Sequence, residues 1–197
     1  MELYLITGFL GAGKTTFLKN FARQFAGRRL RLIINEFGRA GVDGTLLREL
    51  DAALDEISNG SIFCACRLDQ FEAALEQAAA DAPDVVLVEA SGLADPTNVR
   101  RVLAQFPAVS YQGSVCVADA ARLEKVFSTA RACPRQLAVS SLVLLNKTDL
   151  ATEAQCAEAK ALILRANPAA RIRRTQFGRF EPEWLSLIVP DVDVDEV

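Results

Sequence analysis

Residues 3–16 of the chain read LYLITGFLGAGKTT, an apolar run followed by a loop that contains three glycines. The apolar run predicts a buried β-strand, and the residues after the loop predict the start of a helix. Glycines allow the backbone amides of such a loop to turn toward phosphates, and the N-terminus of the next helix attracts the same anion. Lys14 adds a charge for the β- and γ-phosphates, and the Thr15 hydroxyl is placed to ligate Mg²⁺. The sequence therefore predicts a nucleoside triphosphate site with a binding loop formed by Gly11, Ala12, Gly13, Lys14, Thr15 and Thr16.

The rest of the chain alternates between short apolar runs and helical patterns. The runs that predict further strands are residues 31–35, 84–89, 114–118 and 142–146, with 171–174 as a candidate last strand. The helical patterns cover residues 15–25, 68–80, 96–105 and 120–130, and a capping box at Thr152 predicts the start of another helix. This alternation is typical of βαβ units. We therefore expect an α/β, three-layer phosphate-loop NTPase fold, a mostly parallel, doubly wound sheet with helices on both faces.

Composition narrows the function classes. The chain has 197 residues, a length that predicts a single domain, residues 1–197, with 190–197 as a flexible acidic tail. Its net charge is −3. The near-neutral charge argues against nucleic acid or an anionic membrane as a partner. Because no apolar run approaches the ~20 residues of a membrane span and no basic leader precedes the first run, we expect a cytoplasmic protein. The absence of histidine excludes imidazole bases and imidazole metal ligands.

A second nucleotide-binding pattern, Asn146-Lys147-Thr148-Asp149, follows the apolar run 142–146. Ligands bind at the carboxyl ends of the strands in α/β sheets, so this polar group is expected beside the phosphate loop. The Asp149 carboxylate can accept hydrogen bonds from N1–H and the exocyclic amino group of guanine, a donor pair that adenine lacks. Lys147 can cover the base with its aliphatic stem, and Asn146 can brace the loop. We therefore predict GTP and GDP as ligands rather than ATP.

The run 84–89 ends in a carboxylate, Glu89, which precedes Gly92. A carboxylate at this strand end can hold Mg²⁺ or its waters, or orient the attacking water, although a purely structural role is the alternative. We predict Lys14 and Glu89 as catalytic residues and Thr15 and Glu89 as Mg²⁺ ligands. The Gly92 amide can contact the γ-phosphate. Asp95, followed by proline, predicts the cap of the next helix.

Four motifs in this order resemble the CobW family of P-loop GTPases, which is related to the HypB and UreG nickel-insertion GTPases. Their order and spacing extend over residues 5–150, and they read GFLGAGKTT at 8–16, NEFG at 35–38, EASGLADP at 89–96 and NKTD at 146–149. The resemblance implies a GTP-dependent metallochaperone or metal-cofactor assembly factor. It also implies a switch segment after Asn35, in which Asp43 would contact Mg²⁺ through its waters. Family members usually continue into a C-terminal domain, which we expect to be absent here.

The family's cysteine loop is altered in this chain. Members usually carry Asn-Gly-Cys-x-Cys-Cys, whereas Ser61 and Phe63 replace two of the three cysteines and only Cys64 remains in place. Cys66 is an additional cysteine, and in an extended segment the two thiolates would point to the same side. They could bind Zn²⁺ or another thiophilic ion, with Glu36, a client protein or a second chain of a homodimer completing the tetrahedral set. Structural or redox-active cysteines are the alternatives.

The switch segment differs as well, because Arg39 stands where the family usually has an acidic residue. No side chain in the sequence is an obvious general base, so we expect slow intrinsic GTP hydrolysis that a client metalloenzyme or cofactor-assembly protein stimulates. The rival hypotheses are a metal-free GTP switch that controls a partner metalloenzyme and, more remotely, a small-molecule kinase. Of the other cysteines, Cys116 and Cys156 are expected in the core, and Cys133 has no predicted partner.

Overall fold

The computed structural model describes residues 1–35, 44–50, 52–57, 61–63 and 68–190, with backbone alone for 44–46. Within these residues, seven strands form one sheet: β1 (Glu2–Thr7), β2 (Leu30–Asn35), β3 (Ala52–Ile57), β4 (Val85–Glu89), β5 (Ser110–Asp119), β6 (Leu142–Asn146) and β7 (Arg171–Arg174). The helices are α1 (Lys14–Ala22), α2 (Gly44–Glu49), α3 (Leu68–Asp81), α4 (Val99–Leu103), α5 (Leu123–Thr129), α6 (Ala132–Ala138) and α7 (Glu153–Ala166). Short 3₁₀ segments follow α1 at Arg23–Phe25, β6 at Thr148–Leu150, and β7 at Pro182–Leu187. No helix in these described ranges is long and apolar enough to cross a bilayer.

The strand order is β3-β2-β4-β1-β5-β6-β7, and each of its pairings is parallel. The sequence predicted a mostly parallel sheet, and the described part of the chain is entirely so. Parallel pairing places the carboxyl ends of all strands at one edge. That edge carries the polar residues that end five of the strands, Thr7, Asn35, Glu89, Asp119 and Asn146.

Alternating side chains of the central strands enter two apolar layers. On one face, Tyr4 and Ile6 of β1 pack with Phe17 and Phe21 of α1, and the segment around Trp184 covers the same layer. On the other face, the odd-numbered residues of β1 pack against α3 and α4, while β5 and β6 pack against α5, α6 and α7. Burial on both faces explains the continuous apolar runs of these strands, and the predicted three-layer fold is confirmed.

Two features of the first half were not predicted. Strand β3 has the sequence AALDEI, in which Asp55 and Glu56 interrupt the apolar pattern, and α2 was also missed. The edge strand β3 is held by its neighbour β2, because Arg31 on β2 is 5% exposed and its guanidinium donates to both carboxylate oxygens of Asp55. Arg31 also pairs with Asp81 at the end of α3. These carboxylates raise the pKa of the Arg31 guanidinium, so the group stays charged in the interior.

The helix predicted at 96–105 is shorter and begins at Val99. Asp95 accepts hydrogen bonds from the backbone amide and hydroxyl of Thr97, so it stabilises a turn ahead of the helix, and Asn98 is the N-cap. Helix α6 was not predicted. The capping box at Thr152 is confirmed, with Thr152 Oγ1 accepting from the Gln155 amide.

The three described cysteines are buried, which confirms the prediction for Cys116 and Cys156 and places Cys133 in the same layer. Burial raises the pKa of the Cys133 thiol to about 11 and raises that of Cys116 as well. Both are therefore neutral thiols at physiological pH and serve as apolar core residues.

Candidate nucleotide and magnesium site

The phosphate loop lies between β1 and α1 and depends on glycine at two tight contacts. Gly8 has φ +133°, and a Cβ there would lie 2.2 Å from the Val117 carbonyl oxygen. Gly13 has φ +103°, and a Cβ there would lie 2.6 Å from Asn146 Nδ2. A side chain at either position would both strain the backbone and displace a neighbouring strand end. Gly13 is also the N-cap of α1, so the first amides of that helix open toward the loop.

A cavity at the start of α1 is lined by the two predicted catalytic residues and by groups from the phosphate loop, the end of β2 and the turn after β4. The Thr15 hydroxyl donates to Glu89 Oε1 over 3.1 Å, which brings together the two predicted Mg²⁺ ligands. Lys14 is 9% exposed and Glu89 3% exposed, so both charges lie in a partly dehydrated setting where electrostatic effects are strong. The lining residues are Leu10, Gly11, Gly13, Lys14, Thr15, Thr16, Asn35, Glu89 and Gly92.

A second cavity adjoins the first across Gly13 and Thr16. It contains the predicted guanine-binding residues and is lined by Gly13, Thr16, Asn146, Lys147, Asp149, Leu150 and Phe177. Asn146 Nδ2 donates to the Ala12 carbonyl over 2.9 Å, while Asn146 Oδ1 accepts from the Gly178 amide over 3.0 Å. This buried amide therefore braces the phosphate loop against the chain after β7. Asp149 lies exposed in the 3₁₀ turn that follows β6, where its carboxylate is accessible to a ligand.

Lys147 is held across the mouth of this second cavity. Its backbone is left-handed, with φ +60°, and Nζ donates to the Gly11 carbonyl over 2.6 Å and to Asp119 Oδ2 over 2.8 Å. The ammonium is thus fixed at the phosphate loop, and the aliphatic stem is held between the loop and the turn after β6. A purine that enters the cavity can pack on that stem.

Sequence reasoning missed Asp119 and Phe177. Asp119 ends β5 directly after the apolar run 114–118, in the same relation that Glu89 has to its own strand, and that signal could have identified it. Phe177 gave no such signal, because its position depends on contacts with distant segments. It has φ +54° and a 65% exposed side chain at the cavity wall, and Asn20 Nδ2 donates to its carbonyl over 3.1 Å. A bulky residue in this backbone conformation is uncommon and marks a constrained position.

The predicted transition-metal ligands Cys64, Cys66 and Glu36 lie outside the residues that the structure describes. The same is true of Asp43, the further candidate for Mg²⁺, of Arg39 in the switch segment, and of the predicted acidic tail at 191–197. Within the described ranges, no group of three or more Cys, Asp and Glu residues is placed to hold a metal ion. The segment just before Cys64 is described, and Ile62 and Phe63 are buried there. Phe63 packs edge-on against Phe71 and its carbonyl accepts from Asn98 Nδ2, so the residue that replaces a family cysteine is part of the core.

Known proteins with similar sequences belong to the family that the four sequence motifs resemble. The family described as "CobW/HypB/UreG, nucleotide-binding domain" matches residues 2–174. Among curated proteins, "Zinc chaperone CobW" of Pseudomonas aeruginosa is 32% identical over 206 residues, covering 86% of this chain and 55% of that protein. "Zinc chaperone YeiR" of Escherichia coli is 33% identical over 153 residues, covering 75% of this chain and 47% of that protein. The chain thus spans about half the length of the curated relatives it matches.

Solved structures agree on the fold. The Zn(II)-bound YjiA GTPase from E. coli superposes with a TM-score of 0.70 at 23% identity, covering 96% of this chain and 61% of that chain. The hydrogenase maturation factor HypB from Archaeoglobus fulgidus gives 0.63 at 22% identity, covering 94% of this chain and 87% of that one. At these identities, the likeness establishes the architecture.

Proposed function

Because this chain belongs to the CobW/HypB/UreG family of nucleotide-binding domains, we propose that it binds and slowly hydrolyses GTP and couples the nucleotide state to the loading of a metal ion into a client protein. The proposal has a nucleotide half and a metal half. The main observation that supports the nucleotide half is the hydrogen bond between Thr15 and Glu89 beside Lys14 in the phosphate cavity. A hydroxyl and a carboxylate at this spacing fit Mg²⁺, which prefers oxygen ligands.

Different groups of the chain would have different roles in GTP hydrolysis. Lys14 and the amides of the phosphate loop hold the β- and γ-phosphates and stabilise the charge that develops on their oxygens. Thr15 and Glu89 would hold Mg²⁺, which when bound neutralises further charge on the same phosphates. Glu89 would also orient the attacking water. Without a dedicated general base, the intrinsic rate stays low, and a single-turnover rate above ~1 s⁻¹ in the isolated protein would contradict the proposal.

Guanine selection is assigned to Asp149, with Lys147 and Asn146 forming the walls of the second cavity. The Asp149 carboxylate accepts from N1–H and the exocyclic amino group of guanine, and adenine would leave it without those donors. Competition of ATP and GTP for a fluorescent GDP analogue tests this assignment. Equal affinity for the two nucleotides would contradict it and would revive a kinase function.

The metal half of the proposal rests on the relatives named zinc chaperones and on the thiols of Cys64 and Cys66. The cargo is Zn²⁺ or another thiophilic ion, because thiolates select such ions. Two thiolates leave a tetrahedral site half complete, so a homodimer that contributes both cysteines twice, or Glu36, or the client metalloprotein supplies the remainder. We place this activity in the cytoplasm, where thiols stay reduced.

The decisive experiment is a Zn²⁺ titration of the reduced protein against a chromophoric chelator, with Mg²⁺ and either a non-hydrolysable GTP analogue or GDP. We expect half an ion per chain, with an affinity that depends on the nucleotide and is lost in Cys66→Ser. Cys156→Ala is the matched control, because Cys156 is a buried core thiol in α7. Failure to compete with the chelator in either state would remove the metal function and leave a metal-free GTP switch that controls its partner.

A further inference from the structure

The side-chain amide of Asn35 connects three segments of the chain at the carboxyl edge of the sheet. Asn35 is the last residue of β2 and is 1% exposed. Its Nδ2 donates to the Ile57 carbonyl at the end of β3 over 3.0 Å. Its Oδ1 accepts from two backbone amides, that of Ile62 over 3.0 Å and that of Ser91 over 3.3 Å. An amide oxygen has two lone pairs and can serve both donors at once.

One of these donors belongs to the nucleotide site. Ser91 lies between Glu89 and Gly92, and both Gly92 and Asn35 line the phosphate cavity. The turn is packed directly on the phosphate loop, since a Cβ on Gly92 would lie 2.6 Å from the Leu10 amide nitrogen. Because Ser91 and Gly92 are adjacent, a ligand group that displaced the Gly92 amide would also displace the Ser91 amide relative to Asn35 Oδ1.

The other donor belongs to the segment that leads into the cysteines. Ile62 is fully buried and precedes Cys64 by two positions. Its amide shares the Asn35 oxygen with Ser91, and the Asn35 nitrogen holds the strand end that precedes this segment. Asn35 Oδ1 is the shared acceptor, so a change in its hydrogen bond with the Ser91 amide alters the atom that also positions the Ile62 amide.

We propose that Asn35 is a positioning residue that transmits the nucleotide state from the Ser91–Gly92 turn to the segment 61–63. The proposal rests on the proposed function, because the benefit of such a connection is a metal affinity that differs between the GTP and GDP states. It goes beyond that function by assigning the coupling to one side chain. A merely structural amide would lower stability, and it would affect the two nucleotide states equally.

The chain offers a matched control for that distinction. Asn167 is a partly buried amide whose Nδ2 donates to three backbone carbonyls, those of Leu137, Ala138 and Ser140. It lines neither nucleotide cavity. Asn167→Ala removes a comparable set of hydrogen bonds from the same fold and leaves the Asn35 connection intact.

The test uses the full chain, Zn²⁺ with a chromophoric chelator, and the two nucleotide states with Mg²⁺. The measured quantity is the ratio of zinc affinities between the GTP-analogue and GDP states. We expect this ratio to differ from one by roughly 5-fold or more in the unmodified protein and in Asn167→Ala, as is typical of allosteric coupling. In Asn35→Ala it should approach one. An unchanged ratio in Asn35→Ala would overturn the inference and leave the proposed metal function standing.

A second readout needs neither zinc nor the variant. Hydrogen exchange of the Ile62 amide, measured by NMR or by peptides that span 61–63, should differ between the GTP-analogue and GDP states. Equal exchange in both states would overturn the inference even if Asn35→Ala fails to fold. If zinc does not bind in any state, the metal proposal fails, and a state-dependent Ile62 amide that becomes state-independent in Asn35→Ala would still support Asn35 as the connection to the nucleotide.

Discussion

The hydroxyl of Thr15 and the carboxylate of Glu89 form a hydrogen bond of 3.1 Å although 74 positions separate them in the sequence. The sheet produces this proximity, because Glu89 ends β4 beside Ile6 of β1, whose continuation is the phosphate loop. Helix α1 then begins at Lys14 and presents Thr15 to the same point. The two side chains that we propose as Mg²⁺ ligands are therefore already adjacent, and both offer oxygen atoms, which this small, hard cation prefers.

Removing the hydroxyl should weaken the response to magnesium. Thr15→Ala is expected to raise the Mg²⁺ concentration for half-maximal GTP hydrolysis by at least about 10-fold, since an oxygen ligand is lost. Thr15→Ser keeps the hydroxyl and should remain close to the unmodified protein. Hydrolysis rates measured over a Mg²⁺ series check this, and equal requirements in the Ala and Ser variants would contradict the assignment.

Neutralising the Glu89 carboxylate should lower the rate of the hydrolysis step itself. Glu89→Gln keeps the shape of the side chain and removes its charge, so GTP should still bind while single-turnover hydrolysis falls by roughly 100-fold. Glu153→Gln is the control, because Glu153 is an exposed carboxylate that pairs with Arg174 on the surface. Full activity in Glu89→Gln would reduce Glu89 to a structural residue at a strand end.

The preference of the site for guanine over other bases should depend on Asp149. Asp149→Asn replaces one of the two acceptor oxygens by an NH₂ donor group, so GTP affinity should fall roughly 10- to 150-fold, the cost of lost hydrogen bonds to a charged group. Xanthosine triphosphate, which carries a carbonyl where guanine has its amino group, should lose less or gain. Competition against a fluorescent GDP analogue measures both, and parallel losses for the two nucleotides would contradict direct reading of the base.

The strands at the centre of the sheet could be predicted because each is buried on both faces and therefore reads as a continuous apolar run. Strand β3 could not, because its stability comes from Arg31 on the neighbouring strand rather than from its own pattern. The proximity of Thr15 and Glu89 followed from motifs at strand ends. The place of Asn35 at a strand end was predicted as well, but its side-chain contacts and the position of Phe177 depend on hydrogen bonds with distant segments, which no local pattern records.

The ion pair between Lys147 and Asp119 should increase nucleotide affinity without changing the rate of hydrolysis. Asp119→Asn removes the charge that holds Nζ, and we expect GTP and GDP to bind roughly 2- to 10-fold more weakly, with the hydrolysis rate of the bound complex unchanged. Asp84→Asn is the control, since Asp84 pairs with Arg29 at the opposite edge of the sheet. A selective loss for only one of the two nucleotides would assign Asp119 to the phosphate cavity instead.

Phe177 is expected to stack on the guanine base. Phe177→Ala should weaken GTP and GDP affinity by roughly 5- to 150-fold, the range of base stacking on an aromatic ring. Leu164→Ala is the surface control, because Leu164 is an exposed apolar residue outside both cavities. Isothermal titration with GDP measures the effect. Unchanged affinity in Phe177→Ala would leave the strained backbone at this position without a role in the ligand site.

Thiol reactivity should separate the core cysteines from the proposed metal ligands. The five cysteines of the chain should all react with a disulfide reagent after denaturation, whereas Cys116, Cys133 and Cys156 should stay protected in the native protein. Because burial raises the pKa of Cys133 to about 11, its thiolate fraction at pH 8 is only about one in a thousand and grows as the pH rises. Rapid native reaction is therefore expected from Cys64 and Cys66 alone, and half an equivalent of Zn²⁺ per chain should suppress it.

The double variant Cys64→Ser with Cys66→Ser provides the comparison for this experiment. Its native reaction should disappear, while its denatured protein should show the three core thiols. A rapid reaction that survives the double substitution would mean that a core thiol is accessible. Reactivity of the unmodified protein that Zn²⁺ leaves unchanged, under conditions where the chelator assay reports binding, would place the metal on ligands other than these two sulfurs.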